Sequence, residues 1–254
     1  MAGQFQDKVA LVTGGGSGIG EAVALALGGE GAHVAVADVN EVAARAVADS
    51  IVAAGGRASV VPGDVSDPQQ VKQSIDGTVQ AEGALHLAVN NAGIGGPRGP
   101  LADYDDGDGF AAYRQLIEID LNSVYYGMRY EIPAIIAAGG GAIVNVASVH
   151  GLVANLNGAP YTAAKHGVVG MTKSAGATYG AQGVRINAVL PGYIETPLLD
   201  SLPTEAFNAL QAKHPIGRLG TAAEVADLVL FLLSDRASFI TAGQFTVDGG
   251  YTAV

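Results

Sequence analysis

A glycine-rich loop between an apolar strand and an apolar helix constrains the fold of this chain more than any other feature. Residues 8–13, which precede the loop, are short and almost continuously apolar, the pattern of a parallel strand covered on both faces. Residues 19–30, which follow it, are rich in Ala, Val and Leu, as expected of a helix packed on a sheet. This order of strand, tight turn and helix predicts the first unit of an α/β fold.

The loop can bind an anion without a basic side chain. Gly14, Gly18 and Gly20 have the spacing G-x-x-x-G-x-G, and no Lys-Ser or Lys-Thr pair follows as it would in a P-loop. Glycines let the backbone approach a ligand closely, and a helix N-terminus presents unpaired N–H groups and a partial positive charge. The pattern alone fits either a diphosphate site or an ordinary tight connection.

The end of the second strand favours the diphosphate of a dinucleotide. Residues 32–37 form another apolar run, and Asp38 follows it directly. A carboxylate at this point accepts hydrogen bonds from the adenosine ribose hydroxyls and repels a 2′-phosphate. Ser17 and Val39, two places where a basic residue would pair with such a phosphate, are uncharged. The sequence therefore favours NAD over NADP, and the alternative is that Asp38 is only a turn residue at a strand end.

Composition excludes several classes of function. The 254 residues carry a net charge of −11, which argues against a nucleic-acid partner. No apolar run approaches the about 20 residues of a membrane span. The absence of cysteine excludes disulfides and thiolate chemistry. The first residues lack the profile of a secretory signal, so we expect a soluble cytoplasmic protein with no membrane partner.

Strand and helix patterns alternate along the chain without an intervening linker. This order predicts a single α/β domain over residues 1–254, a Rossmann-like doubly wound parallel sheet of about seven strands with helices on both faces. The predicted strands cover residues 8–13, 32–37, 58–63, 85–89, 142–147, 184–190 and 244–247. The predicted helices cover residues 19–30, 40–54, 67–82, 110–138, 161–179 and 222–233, with Asn40 and Asp67 as N-caps and a bend near Pro133.

Residues suited to proton transfer follow the fifth strand. Ser148 ends that strand, and Tyr161 and Lys165 lie at i and i+4, on one face of a helix. Tyrosine has an ordinary pKa of about 10 and is a poor acid or base at neutral pH. A fixed cation nearby favours the phenolate. A Tyr-x-x-x-Lys pair alone is usually a surface pair, but together with Ser148, Asp38 and the glycine loop it predicts an active site.

These motifs together resemble the short-chain dehydrogenase/reductase family, in its branch of chains about as long as this one. The resemblance covers essentially the whole chain. It rests on the loop of residues 13–20, Asp64-Val65, Asn90-Asn91-Ala92-Gly93, Asn122, Ser148, Tyr161-x-x-x-Lys165 and Pro191-Gly192-x-x-x-Thr196. Within the family the chain is most similar to bacterial NADH-dependent secondary alcohol dehydrogenases and carbonyl reductases, through residues 91–96 and 247–253.

The resemblance implies a role for each matching residue. Tyr161 would be the general acid in carbonyl reduction and the base in alcohol oxidation, and Lys165 would favour its ionised form and hold the nicotinamide ribose. Ser148 would hydrogen-bond the substrate oxygen. Asn122 would bind a water that links Lys165 to solvent, or would simply bond a neighbouring helix carbonyl. The implied NAD-binding residues are Gly14, Ser17, Gly18, Ile19, Gly20, Asp38, Asp64, Val65, Asn91, Gly93, Tyr161, Lys165, Ile194 and Thr196.

The implied function is NAD(H)-dependent hydride transfer that interconverts a secondary alcohol and a ketone. A mobile lid over residues 193–215 would cover a mostly apolar pocket. His150 would either line this pocket or have a purely structural role. A 3-oxoacyl-thioester reductase, a sugar or cyclitol dehydrogenase, and a non-catalytic dinucleotide-binding regulator are the alternatives. The resemblance also implies a homotetramer. Some relatives bind Mg²⁺ through a polar residue at the chain end, but this chain ends in Val254, so we expect no metal.

Overall fold

The computed structural model describes residues 3–104, 107, 110–199 and 203–254. The strands are β1 (Val9–Thr13), β2 (His33–Asp38), β3 (Arg57–Pro62), β4 (Leu87–Asn90), β5 (Gly141–Val146), β6 (Val184–Pro191), β7 (Ile194–Glu195), β8 (Gly220–Thr221) and β9 (Gln244–Val247). The α-helices are α1 (Gly18–Gly29), α2 (Glu41–Ala53), α3 (Pro68–Glu82), α4 (Ala111–Ile117), α5 (Ser123–Ala137), α6 (Ala159–Tyr179), α7 (Thr204–Gln211) and α8 (Ala222–Leu233).

Seven of these strands form one parallel sheet in the order β3-β2-β1-β4-β5-β6-β9. The chain builds outward from β1 to β3, then crosses back to β4 on the other side of β1. In such a sheet a ligand crevice opens at the carboxyl ends of the strands, where the strand order reverses. The predicted doubly wound α/β fold is confirmed.

Two apolar layers bury the faces of the sheet. Side chains alternate along each strand, so Ala10 and Val12 of β1 face one layer and Leu11 faces the other. The first layer packs against α1, α2 and α8, and the second against α3, α5 and α6. Because both faces are covered, the strands are mostly apolar, and Asn145 of β5 and Asn187 of β6 are fully buried polar exceptions. None of the helices within the described residues combines the length and apolar character that a membrane crossing requires.

The predicted helix N-caps are confirmed. The Asn40 side chain accepts a hydrogen bond from the Ala43 N–H at 3.2 Å, and the Asp67 carboxylate accepts one from the Gln69 N–H at 2.8 Å. Pro68 occupies the first helical position, where its missing N–H costs no hydrogen bond. α6 begins two residues earlier than the pattern predicts, since a proline is tolerated in the first turn of a helix.

The long helix predicted over residues 110–138 is interrupted in the structure. A π-helical stretch, Glu118–Asn122, separates α4 from α5. Pro133, near which the sequence predicts a bend, lies inside α5. The change in hydrogen-bonding pattern lies before it, in the π-helical stretch. A π turn holds an extra residue and changes which side chains face inward. One of these is Asp120, which is 1% exposed. The short elements β7, β8 and α7 are not in the sequence prediction.

A carboxyl group lies in the core between α5 and the sheet. Glu131 is 1% exposed, and its Oε2 accepts a hydrogen bond from the Asn90 side-chain amide at 3.0 Å. The same amide donates to the Asn145 side chain at 2.9 Å, and Asn145 donates to the Thr172 hydroxyl. Burial raises the pKa of Glu131 to about 7, against the lowering effect of the Asn90 hydrogen bond. Glu131 is therefore a proton-binding group of the folded state.

Replacing Glu131 with Gln should remove a pH-dependent loss of stability. The ordinary pKa is 4.5 and the folded value is about 7, so the unfolded chain loses this proton first as the pH rises. The protonated Glu131 carboxyl group contributes its full stability at pH values below its pKa in the unfolded chain. This contribution is lost as the pH rises through its pKa in the folded protein, and the free energy of unfolding falls by about 3 kcal/mol in total.

Urea unfolding of both proteins at about pH 5 and about pH 8 measures this effect. The free energy of unfolding of Glu131→Gln, relative to wild type, should increase by about 2 kcal/mol at the higher pH. A difference that does not change with pH would contradict the buried-proton account.

Candidate active site

A cleft of about 440 Å³ opens at the carboxyl ends of β1, β2, β4, β5 and β6. Most of the sequence-predicted site residues line it: Gly14, Ser17, Gly18, Ile19, Asp38, Asp64, Val65, Asn91, Gly93, Ser148, Tyr161, Lys165, Ile194 and Thr196. Gly20 and Asn122 lie outside this lining. The topology thus brings segments that are distant in the sequence to one edge of the sheet.

The glycine loop forms a bare backbone cradle at one end of the cleft. Gly14 and Gly18 have φ values of +61° and +57°, in the left-handed region that other residues rarely adopt. A Cβ at Gly20 would lie 2.1 Å from the Gly14 carbonyl oxygen, and one at Gly18 would lie 3.3 Å from the Thr196 side chain. Ser17 makes no side-chain capping bond. The loop and the first-turn N–H groups of α1 fit a diphosphate.

The Asp38 carboxylate is held in position beside this cradle. One oxygen accepts a hydrogen bond from the Gly16 N–H at 2.9 Å, and the other accepts one from the Asn40 N–H at 2.8 Å. Each oxygen retains a further lone pair for a ligand hydroxyl. Val39, the next residue, is 77% exposed and carries no charge. This end of the cleft therefore fits an adenosine ribose with a free 2′-hydroxyl.

Two other predicted cofactor residues, Asn91 and Asp64, use their side chains to hold neighbouring segments of the cleft wall in place. The Asn91 side-chain amide donates to the carbonyls of Thr13 and Gly14 at 3.1 and 3.2 Å, which ties the end of β4 to the glycine loop. The Asp64 carboxylate accepts hydrogen bonds from the N–H and hydroxyl of Ser66 at 2.9 and 2.7 Å. Their side chains fix the shape of the wall.

Ser148, Tyr161 and Lys165 meet at the other end of the cleft. The Ser148 hydroxyl oxygen accepts a hydrogen bond from the His150 N–H at 3.2 Å, so its own hydrogen can be donated to a ligand. Tyr161 is half-buried on α6, and the Lys165 Nζ lies 5.5 Å from the centroid of its ring. This group can hold a ligand oxygen and transfer a proton to or from it.

Lys165 pairs with an acidic residue that the sequence patterns do not point to. Its Nζ lies 3.1 Å from Oδ2 of Asp120, whose side chain is fully buried. The other oxygen of Asp120 accepts a hydrogen bond from the Ile94 N–H at 2.8 Å. The family resemblance implies a role for Asn122 in this segment; Asn122 is the last residue of the π-helical stretch and lies outside the cleft lining, and its role stays a prediction. Regular helical periodicity gives no signal that would have identified Asp120.

Lys165 is held as an ammonium ion. Burial lowers the pKa of Lys165, but the negative charges of Asp120 and of ionised Tyr161, with the hydrogen bond to Asp120, outweigh this effect and raise it. The Nζ also lies 3.5 Å from the Val146 carbonyl oxygen. A cation is therefore fixed next to the Tyr161 ring.

A cluster of aromatic rings lies beside Tyr161. The His150 ring packs edge-to-face against Tyr161, Tyr193 and Tyr251, with centroid distances of 6.2, 5.9 and 6.0 Å. The Tyr193 N–H donates to the His214 ring at 3.2 Å. Burial lowers the pKa of His150, so its ring is neutral at neutral pH. The rings of His150 and Tyr193 therefore line the cleft next to Tyr161, with Arg98 in the same lining, and Tyr251 from the chain end packs against both rings.

The segment predicted to be a lid follows this cluster. Residues 193–215 include β7 and α7, and residues 200–202 lie outside the described part of the structure. α7 has no buried residue. His214, at 3% exposure, anchors the far end of the segment to Tyr193. Motion of the lid stays a prediction.

Comparison with known proteins gives consistent matches. A family model described as enoyl-(acyl carrier protein) reductase matches residues 14–252. The chain is 49% identical to cyclohexanol dehydrogenase of Acinetobacter sp. (strain SE19), over 100% of this chain and 98% of that protein. It is 45% identical to cis-4-hydroxycyclohexanecarboxylate dehydrogenase of Sinomonas cyclohexanicum, over 100% of both.

The fold comparison agrees with the sequence matches. A crystal structure of levodione reductase superposes with a TM-score of 0.93 at 36% identity, over 98% of this chain and 99% of that chain. Matches of this length and identity cover the glycine loop and the Ser148, Tyr161 and Lys165 group in one alignment. The chain belongs to the short-chain dehydrogenase/reductase family and is an oxidoreductase that interconverts alcohols and ketones.

Proposed function

We propose that the protein interconverts alicyclic secondary alcohols and ketones with NAD(H), with Tyr161 as the general acid and base. The observation that carries the proposal is the convergence in one cleft of the glycine cradle, Asp38, and the Ser148, Tyr161 and Lys165 group. A proton-transfer group beside a dinucleotide site is what hydride transfer to or from a carbinol carbon requires. A non-catalytic binder has no use for this group.

The dinucleotide would lie along the cleft from Asp38 to Lys165. The family binds a nicotinamide dinucleotide, and the cradle supplies backbone N–H groups for its diphosphate. Asp38 would accept the ribose hydroxyls and disfavour a 2′-phosphate, which selects NAD over NADP. Ile194 and Thr196 would hold the carboxamide end. When bound, the nicotinamide supplies the hydride acceptor in alcohol oxidation and the hydride donor in ketone reduction.

The protein's own residues would position the substrate oxygen and move its proton. In oxidation, the Ser148 hydroxyl donates a hydrogen bond to the substrate oxygen, and the Tyr161 phenolate accepts the hydroxyl proton. The Lys165 ammonium favours that phenolate. In reduction, Tyr161 returns the proton to the oxygen as the carbonyl becomes an alkoxide, while Ser148 stabilises the developing charge.

The pocket favours a ring as substrate. The wall beside Tyr161 includes the aromatic rings of His150 and Tyr193, and Arg98 lines the same cleft. Two relatives, cyclohexanol dehydrogenase and cis-4-hydroxycyclohexanecarboxylate dehydrogenase, have names that refer to a hydroxylated cyclohexane ring. The matching family model is described as an enoyl-(acyl carrier protein) reductase, which shares the thioester-linked acyl chain but not the 3-oxo group, and a 3-oxoacyl thioester is the second candidate.

A substrate panel tests the proposal. Cyclohexanol, cis-4-hydroxycyclohexanecarboxylate, a cyclitol and a sugar would be assayed with NAD⁺ and with NADP⁺, and a 3-oxoacyl thioester with the reduced cofactors. We expect the highest kcat/KM for a cyclohexane alcohol with NAD⁺. A preference for the thioester or the sugar would contradict the substrate assignment. NADH binding without turnover of any compound would support a regulator instead.

We also propose the homotetramer and the mobile lid over residues 193–215 that the family resemblance implies. Size-exclusion chromatography with light scattering measures the first. Protection of the lid backbone from hydrogen exchange, with and without NADH, measures the second.

A further inference from the structure

A buried carboxylate is paired with the lysine of the proposed proton-transfer group. Asp120 is 1% exposed, and its Oδ2 has only the Lys165 ammonium, at 3.1 Å, as a partner among the described residues. A Cβ at Gly93 would lie 3.2 Å from this oxygen and 3.5 Å from the Lys165 Nζ. The backbone of Gly93 therefore covers the pair closely, and a buried charge in such a place strongly affects its neighbours.

We propose that Asp120 is a positioning residue whose negative charge, paired with Lys165, sets the pH range in which the enzyme oxidises alcohols. This inference rests on the proposed function, because it concerns the base, Tyr161, that accepts the alcohol proton. Asp120 acts through Lys165 and contacts neither the substrate nor the cofactor in this role.

The sign of the effect follows from the charges around Tyr161. The Lys165 ammonium alone would favour the phenolate strongly, because an opposite charge nearby stabilises an ionised group. A carboxylate 3.1 Å from that ammonium cancels part of its field. Because ionised Tyr161 also favours the charged form of Lys165, a neutral side chain at position 120 should let the ammonium stabilise the phenolate more strongly. With Asp120 ionised, alcohol oxidation, which needs the phenolate, is moved toward alkaline pH and ketone reduction is favoured near neutrality.

Among the described residues, His150 packs on the Tyr161 ring, and Tyr193 and the charged Arg98 line the same cleft. α6 contributes Lys165 and Tyr161, and the loop after β4 contributes the Ile94 N–H. β5 contributes the Val146 carbonyl, at 3.5 Å from the Lys165 Nζ. On the π-helical stretch itself, Glu118 accepts a hydrogen bond from the Tyr126 hydroxyl at 3.1 Å, so it is engaged elsewhere. Asp120 is therefore the carboxylate to test.

The test is the pH dependence of alcohol oxidation in Asp120→Asn, with Glu118→Gln as the matched control. Asn keeps the size of the side chain and an acceptor for the Ile94 N–H but removes the charge. We expect the acid limb of the kcat/KM profile to move to lower pH by about one unit. Glu118→Gln removes a carboxylate from the same π-helical stretch and should leave the profile unchanged. A purely structural role for Asp120 would lower activity without moving the limb.

A second measurement does not depend on turnover. Tyrosinate absorbance would be titrated for the wild type and for Asp120→Asn, each against its own Tyr161→Phe counterpart, so that the difference reports Tyr161 alone. The midpoint should fall by the same amount as the kinetic limb. If Asp120→Asn does not fold, Asp120→Ser, whose hydroxyl is smaller and uncharged, carries the same expectation.

An unchanged midpoint, or one that moves to higher pH, would overturn the proposal. The second of these results would mean that the carboxylate serves mainly to keep Lys165 charged. Failure of the proposed function is a separate outcome, since the wild type would then turn over no alcohol while the tyrosinate titration still reports on Asp120.

Discussion

Replacement of Tyr161 by Phe is expected to lower kcat/KM for alcohol oxidation by about 100- to 10,000-fold, the usual contribution of a positioned acid or base. Phe fills the same space on α6 but has no hydroxyl to exchange a proton with the substrate oxygen. The aromatic contact with His150, at a centroid distance of 6.2 Å, is preserved. Because the ring remains, we expect the fold and the NADH affinity to change little.

Two controls separate loss of proton transfer from loss of structure. Tyr179→Phe removes a hydroxyl at the other end of the same helix, where the ring packs on the core, and should keep full activity. NADH fluorescence should show binding by Tyr161→Phe with nearly the wild-type dissociation constant. Turnover by Tyr161→Phe at the wild-type rate would mean that another group moves the proton and would remove Tyr161 from the mechanism.

Replacement of Asp38 by Asn is expected to lower the ratio of NAD to NADP efficiency at least about tenfold, which corresponds to about 1.4 kcal/mol. A 2′-phosphate near the carboxylate is repelled by about 1 kcal/mol per charge pair at 4 Å in water and by more at a protein surface. Asn retains an acceptor for the Gly16 or Asn40 N–H, so the loop should stay folded. Adding Val39→Arg should raise NADP efficiency further, because Arg can pair with the phosphate.

Asp64→Asn is the matched control for this change. Asp64 is the carboxylate that follows β3 in the same cleft, and its Oδ1 is engaged by the N–H and hydroxyl of Ser66. Its replacement should leave the cofactor ratio unchanged. A wild-type enzyme that prefers NADP would contradict the assignment of Asp38 directly.

Local patterns were sufficient to predict most of the fold. The run of apolar residues in each strand, the caps at Asn40 and Asp67, and the strand and helix order all depend on neighbours in the sequence. α8 and β9 begin and end at the predicted residues, and the capping box of Thr221 and Glu224 marks the start of α8. The parallel topology then brings the strand ends to one edge, which gives the position of the cleft.

The remaining features depend on contacts that local patterns do not encode. The π-helical stretch adds a residue to one turn and places Asp120 beside Lys165, whereas the family resemblance pointed to Asn122, whose role stays a prediction. The contact between Tyr251 and His150 joins segments about a hundred residues apart and depends on the packing of the chain end. The side-chain roles of Asn91 and Asp64 within the wall likewise appear only when the loops are in place.

The most direct test of the proposed hydride transfer uses cyclohexanol that carries deuterium at the carbinol carbon. The enzyme would be mixed with this alcohol and NAD⁺, and the mass of the reduced dinucleotide would be measured. The account predicts that the reduced dinucleotide carries the deuterium and that cyclohexanone forms in equal amount. Reduced dinucleotide without deuterium would contradict direct transfer, and the absence of any reduced dinucleotide with cyclohexanol or the other ring alcohols would contradict the proposed function.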